Sequence, residues 1–120
     1  MKNKEFIKKK IKIHIFNDTK DDYIYAGKSF GDRCRKIYEI DKKDKDNELY
    51  EIYFDNTTKI INSSFIISMF YDSVKRLGLP KFSLKYQFNF DNIDSLETLD
   101  GLATDIACAY IKLLNLTYKK

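Results

Sequence analysis

The chain has 120 residues, of which 43% are hydrophobic and 15% aromatic. A length of this order buries roughly two-thirds of its unfolded surface, which suffices for one core without disulfide or metal staples. One Pro, four Gly and no Trp exclude collagen-like and low-complexity classes, and the formal charge of +4 invites a test for nucleic-acid binding.

The charge is unevenly placed. Met1 to Lys12 holds six Lys and one Glu, whereas the other 108 residues carry 16 basic and 17 acidic groups. This reads as a basic tail over residues 1–9 on a nearly neutral domain spanning 10–116. Lys outnumbers Arg 19 to 3, so bidentate phosphate or guanine recognition has few candidates. No basic stripe is visible, and nucleic acid is not the expected partner.

Lys10 to Ile15 alternates strictly, which predicts a strand with Ile11, Ile13 and Ile15 inward and His14 outward among lysines. Asn17 to Asp22 is a turn cluster, and Tyr23-Ile24-Tyr25 is a second short strand. Ser29 to Ile40 has helical spacing of Phe30, Cys34, Ile37 and Ile40, with Ser29 as N-cap and Asp32 in the first turn. Asp41 to Asn47 reads as a solvated charged loop. Glu48 to Phe54 is a more buried strand. Asn62 or Ser63 caps a helix running to Leu77, with Ile67, Phe70, Val74 and Leu77 inward and Gly78 and Pro80 ending it. Phe82 to Phe90 alternates and predicts another strand. Ser95 caps a last helix to about Leu114, with Leu99, Leu102, Ile106, Tyr110 and Leu113 as its stripe. Gly101 marks either close packing or a break in that helix.

The pattern predicts a single α/β domain. Its expected form is a mixed sheet of about four strands, with three helices mainly on one face. The other face would be partly open, which leaves a homodimer or partner contact there as an option.

The chemistry-bearing residues are few. Cys34 and Cys108 fall in predicted helices, 74 positions apart, and read as reduced and buried in a cytosolic protein. With one His, no zinc site is expected, and no other metal or cofactor is implied. No apolar run approaches membrane-spanning length, and no secretory signal precedes the first strand. A nucleophilic serine would need a base, and His14 is on a solvent-facing position, so an enzyme is not expected.

The most informative stretch is a strand ending at Phe54-Asp55, a short loop, then Asn62-Ser63-Ser64-Phe65 opening a helix that ends Lys75-Arg76-Leu77-Gly78. With Gly31-Asp32-Arg33 upstream and Phe88-Asn89-Phe90 downstream, the chain resembles the STAS-like domains of unknown function. These are relatives of the STAS domains of anti-sigma-factor antagonists, and the likeness covers roughly residues 10 to 115. It implies a regulatory protein-binding domain acting through the helix start, with a histidine-kinase-like ATPase or a sigma-factor regulator as partner. In the antagonists a Ser in an Asp-Ser-Ser-Gly turn is the phospho-acceptor. Asn62, Ser63, Ser64 and Phe65 stand at those positions, with Asp replaced by Asn and Gly by Phe. Independently of any family, a helix N-terminus offers free N–H groups and a positive dipole end, and plain capping by Asn62 or Ser63 satisfies the same pattern.

Arg33 is the second candidate, as an anion contact or as an ion pair with Asp32 or Asp55. Two other roles fit the composition. One is a phage or mobile-element inhibitor that occludes a host defence protein, its acidic stretch Asp91, Asp94, Glu97, Asp100 and Asp105 mimicking nucleic acid. The other is a nucleotide or small-anion sensor.

Overall fold

The computed structural model describes residues 9–20 and 23–118. The expected basic tail therefore lies outside the described residues except for Lys9, as do Asp21 and Asp22 of the expected turn. Among the described residues, ten elements follow in order. They are β1 (Lys10–Ile15), β2 (Ile24–Tyr25), α1 (Lys28–Ile37), α2 (Ile40–Asp44), β3 (Leu49–Phe54), β4 (Ile60–Ile61), α3 (Ser63–Leu77), α4 (Leu79–Lys85), β5 (Tyr86–Phe88) and α5 (Leu96–Tyr118).

The chain forms a single α/β domain. Strands β1, β3 and β5 pair in that order, all parallel, and β2 and β4 form a separate parallel pair. Five helices and two small parallel sheets thus stand where one mixed sheet and three helices were expected. The added helices come from two stretches whose local pattern misleads.

The first is Asp41 to Asn47. Helix α1 stops at Tyr38, and Glu39 takes a left-handed conformation with φ 52°. The chain re-aims there and starts α2. Ile40 enters the core, while Ile37 is left on the surface. The expected loop is therefore helical as far as Asp44, and that carboxylate is buried.

The second is Phe82 to Phe90. Gly78 ends α3 at φ 81°, and Pro80 suits the first turn of a new helix because it needs no N–H there. Phe82 is fully buried by helical spacing, whereas Leu84 points to solvent. Only Tyr86–Phe88 pairs as a strand. The alternation of aromatics across the helix–strand junction is a coincidence of two periods.

Three smaller corrections concern single residues. Helix α1 begins a residue before Ser29, with Gly27 at the N-cap and no side-chain cap. Ile11 is 44% exposed, so β1 buries only Ile13 and Ile15. Cys34 is buried but Cys108 is exposed, and both are free thiols. Burial raises the Cys34 thiol to about 11.

The core lies between the β1–β3–β5 sheet and the helices. Tyr25, Phe30, Phe54 and Phe65 form one aromatic group with ring centroids 4.8–6.3 Å apart. Phe70, Phe82, Tyr86 and Phe88 form a second. Helix α3 is central: its buried face carries Phe65, Ile66, Met69, Phe70, Ser73 and Val74, whereas Ile67 and Leu77, expected inward, are only partly buried. No helix among the described residues is long and apolar enough to cross a membrane.

Candidate functional site

Paired strands β2 and β4 set the site. Each leads directly into a helix, so α1 and α3 begin side by side. The Asn62 N–H donates to the Tyr25 carbonyl at 2.7 Å, which fixes the start of α3 beside the end of β2. Asn62 is the N-cap: its side-chain oxygen accepts from the Ser64 N–H at 3.4 Å. Ser64 in turn reaches across, and its hydroxyl oxygen accepts the Gly27 N–H at 3.0 Å, just ahead of α1. The first turn of α3 is thus tied to the first turn of α1.

The four sequence-predicted positions separate sharply. Asn62 and Ser64 are exposed, Ser63 is buried, and Phe65 is fully buried. Phe65 packs on Tyr25, Phe30 and Phe54, so it belongs to the core rather than to a contact surface.

Beside Ser64 lies a groove of about 500 Å³, lined by residues of α1, α3 and α5. Ile67, Tyr71 and Leu116 supply apolar surface, and Lys28, Asp32, Ser64, Ser68 and Asp72 supply polar groups. Lys28 pairs with Asp32 at 2.7 Å. The Ser68 hydroxyl lies 2.7 Å from the same carboxylate and 2.6 Å from the Lys28 carbonyl. The Lys28 ammonium, then the Ser68 hydroxyl, hold the Asp32 carboxyl below its usual range, and Asp32 raises Lys28 in return.

Arg33 is not part of this groove. It pairs with Asp18 at 2.6 Å, with both side chains substantially exposed, and its guanidinium lies 5.1 Å from the Phe30 ring centroid. Neither Asp32 nor Asp55 is its partner. Asp55 instead meets the Asn17 N–H at 3.3 Å and the Tyr25 hydroxyl at 3.2 Å. Within the acidic stretch, Asp105 accepts the Ile61 N–H at 2.9 Å and so joins α5 to β4. Asp91, Asp94, Glu97 and Asp100 are exposed.

A polar cluster at the opposite end of the α1–α3 contact is not foreseen from the sequence. Asp44 is fully buried and is surrounded by donors. Tyr86 donates at 2.7 Å, Ser73 at 2.8 Å, Arg76 at 2.8 Å and Arg35 at 3.3 Å. Arg35 also donates to the Met69 carbonyl at 2.6 Å, to Ser73 at 2.9 Å and to Asp41. Arg35, aided by Arg76, holds the Asp41 carboxyl below its usual range. Desolvation, reinforced by the bond to Asp44, raises the Tyr86 hydroxyl strongly. Two of the chain's three arginines are used here. One sequence signal points to the cluster: Ser73 interrupts the apolar face of α3 one turn after Met69, which implies a polar partner inside.

Among the described residues, no group of three or more His, Cys, Asp or Glu side chains could hold a metal ion. No protein-family model matches this chain, and no curated protein or solved structure matches it either.

Proposed function

We propose that this is a small non-enzymatic regulatory domain that binds another protein through the groove beside Ser64. The carrying observation is that groove. It joins an apolar floor to an exposed helix start, a combination suited to the apolar face of a partner helix. The STAS-like pattern of residues 54–78 supports the same end of the molecule. In that reading the partner is a histidine-kinase-like ATPase or a sigma-factor regulator, and Ser64 is the residue available for phosphorylation. A phosphate on Ser64 would stand at the N-terminus of α3, where the dipole favours an anion, and beside Lys28. It would also place charge at the rim of a surface that a partner must desolvate. Ser63, being buried, is the weaker acceptor.

A second reading rests on Asp91, Asp94, Glu97 and Asp100, four exposed carboxylates leading into α5. They would suit occlusion of a basic groove on a defence protein.

Affinity capture from native lysate tests both. The baits are wild type, Ser64→Asp, Ile67→Asp and a variant with the four carboxylates changed to amides. A kinase-like ATPase or sigma-factor regulator retained by wild type and lost from Ser64→Asp and Ile67→Asp, at unchanged melting temperature, is the expected result. Equal retention by both groove variants sinks the groove reading. Loss only from the amide variant selects the inhibitor.

A further inference from the structure

The sheet has a second face that the groove reading does not use. Alternation in β1 and β3 sends Ile13, Ile15, Tyr50, Ile52 and Phe54 to the core. The same alternation sends Lys10, Lys12 and His14 outward, beside Glu51 and Tyr53, with Gln87 on β5 completing the row. The two lysines and the histidine are exposed, and the other three residues are half-buried.

The register gives this face two features together. The first is an aromatic pair: His14 stacks on Tyr53, its direct cross-strand neighbour, with centroids 5.1 Å apart and planes 20° apart. The second is positive charge around that pair. The Lys12 ammonium lies 5.6 Å from the Tyr53 centroid, and the Lys10 ammonium is held at 2.5 Å by the Gln87 side-chain oxygen. The row also carries one carboxylate, Glu51, which accepts from the Asn89 amide at 3.0 Å and keeps its negative charge beside the two lysines. In sequence, four more lysines and one glutamate precede β1.

We infer that this outer sheet face, centred on His14 and Tyr53 and flanked by Lys10 and Lys12, binds single-stranded nucleic acid. The positive charge selects a polyanion. The exposed His14 ring, with Tyr53 stacked against it, ends a short aromatic stack among cations that an unpaired base can extend, whereas a duplex does not expose its base faces. An acidic peptide is the competing polyanion. It would add along a strand edge through its backbone, whereas here the cations and rings stand on the face. The charge distribution along the sequence conceals this, because strand pairing rather than composition gathers the residues. The inference does not depend on the groove at Ser64.

The test uses the full chain and a fluorescein-labelled 12-mer of uridine or thymidine, read by fluorescence anisotropy at several salt concentrations. Binding should weaken with salt. The exposed His14→Ala and the half-buried Tyr53→Ala should each lower affinity by about fivefold or more, the loss expected for one stacked base. Lys10→Gln and Lys12→Gln should each reduce the salt slope by about 0.7. Melting temperature is followed throughout, and His14→Ala keeps the test decisive if Tyr53→Ala unfolds. No binding at low salt overturns the inference. So does binding that survives the face variants but is abolished when Lys2, Lys4, Lys8 and Lys9 are changed to Gln, which would assign it to the tail. Equal affinity for a labelled poly-glutamate peptide also overturns it, since a general polyanion site would then suffice.

Discussion

Helices α1 and α3 meet at two polar ends that could hardly differ more. At one end Arg35, Asp44, Ser73 and Arg76 converge with Tyr86 around a carboxylate with no solvent exposure. At the other, Lys28, Asp32, Ser64 and Ser68 make bonds of similar length in the open. The residue types are alike, but the dielectric around them is not. Inside, each donor is costly to leave unpaired, so the cluster fixes α2 against α3. Outside, water competes for every bond, and a partner can replace any of them at little cost. One end is a lock, and the other is an accessible surface.

The largest effect should come from breaking the lock. Asp44→Ala leaves the buried Arg35 with only the largely exposed Asp41 as counter-charge and removes the acceptor of Tyr86 and Ser73. Loss of one partner in a buried pair costs about 3–5 kcal/mol. Urea denaturation should show a lower midpoint at an unchanged slope. A change below about 1 kcal/mol would mean that water enters the cluster and that the two ends are not distinct.

Between the ends, Gly31 sets how closely the helices approach. A Cβ there would lie 2.5 Å from the Phe65 carbonyl oxygen and 2.6–2.7 Å from the Ser68 side chain. Alanine favours a helix over glycine by about 1 kcal/mol. The clash opposes that gain, and its nearest atom is backbone, so it cannot be relieved by a rotamer change. Gly31→Ala should therefore lose about 1–3 kcal/mol from the clash and separate α1 from α3 beside Ser64. Gly101, in α5, is the control. A Cβ there meets nothing within 4 Å, and the helix continues through it unbroken. Gly101→Ala should raise stability by about 0.5–1 kcal/mol. Equal signs for the two substitutions in thermal melts would refute the close-approach argument.

The open end has its own, smaller anchor. Asn62 caps α3 through a long bond of 3.4 Å, so Asn62→Ala belongs at the low end of the cap range, about 0.5–1 kcal/mol. Thermal melts should show that loss, while Asn62→Asp should retain most of the stability. A loss as large as that of Asp44→Ala would make this end a second lock.

The sequence disclosed those parts of the fold whose local pattern and tertiary role agree. The strand Lys10–Ile15, the helix beginning at Ser63 and the cap at Ser95, which accepts the Thr98 N–H at 3.2 Å, are of this kind. It misled where a backbone reversal re-phased the pattern, at Glu39 and at Gly78. Of the candidate site, the Asn62 cap was legible because capping is a local preference, whereas Ser64 stood out only through the STAS-like pattern. The groove was not, because Lys28, Tyr71 and Leu116 come from three separate helices. The buried cluster was hidden for the same reason, and further because Asp41 to Asp44 reads as solvated. The outer sheet face needed the parallel register, which no single strand encodes.

Arg33 sharpens the contrast between lock and surface from the weak side. It is adjacent in sequence to Cys34 and only two positions from Arg35, yet its guanidinium faces Asp18 with both side chains about half in solvent. Screening and side-chain entropy leave such a pair worth little, and its contact with the Phe30 ring adds only a modest cation–π term. Arg33→Ala should thus cost no more than about 1 kcal/mol. The loss should shrink further in about 0.5 M salt, where exposed charges are screened more strongly. Arg35→Ala, two positions on, should lose several-fold more and be nearly insensitive to salt. If the two variants behaved alike, burial would not be what separates the arginines, and the division of the α1–α3 contact into a dry end and a wet end would fail.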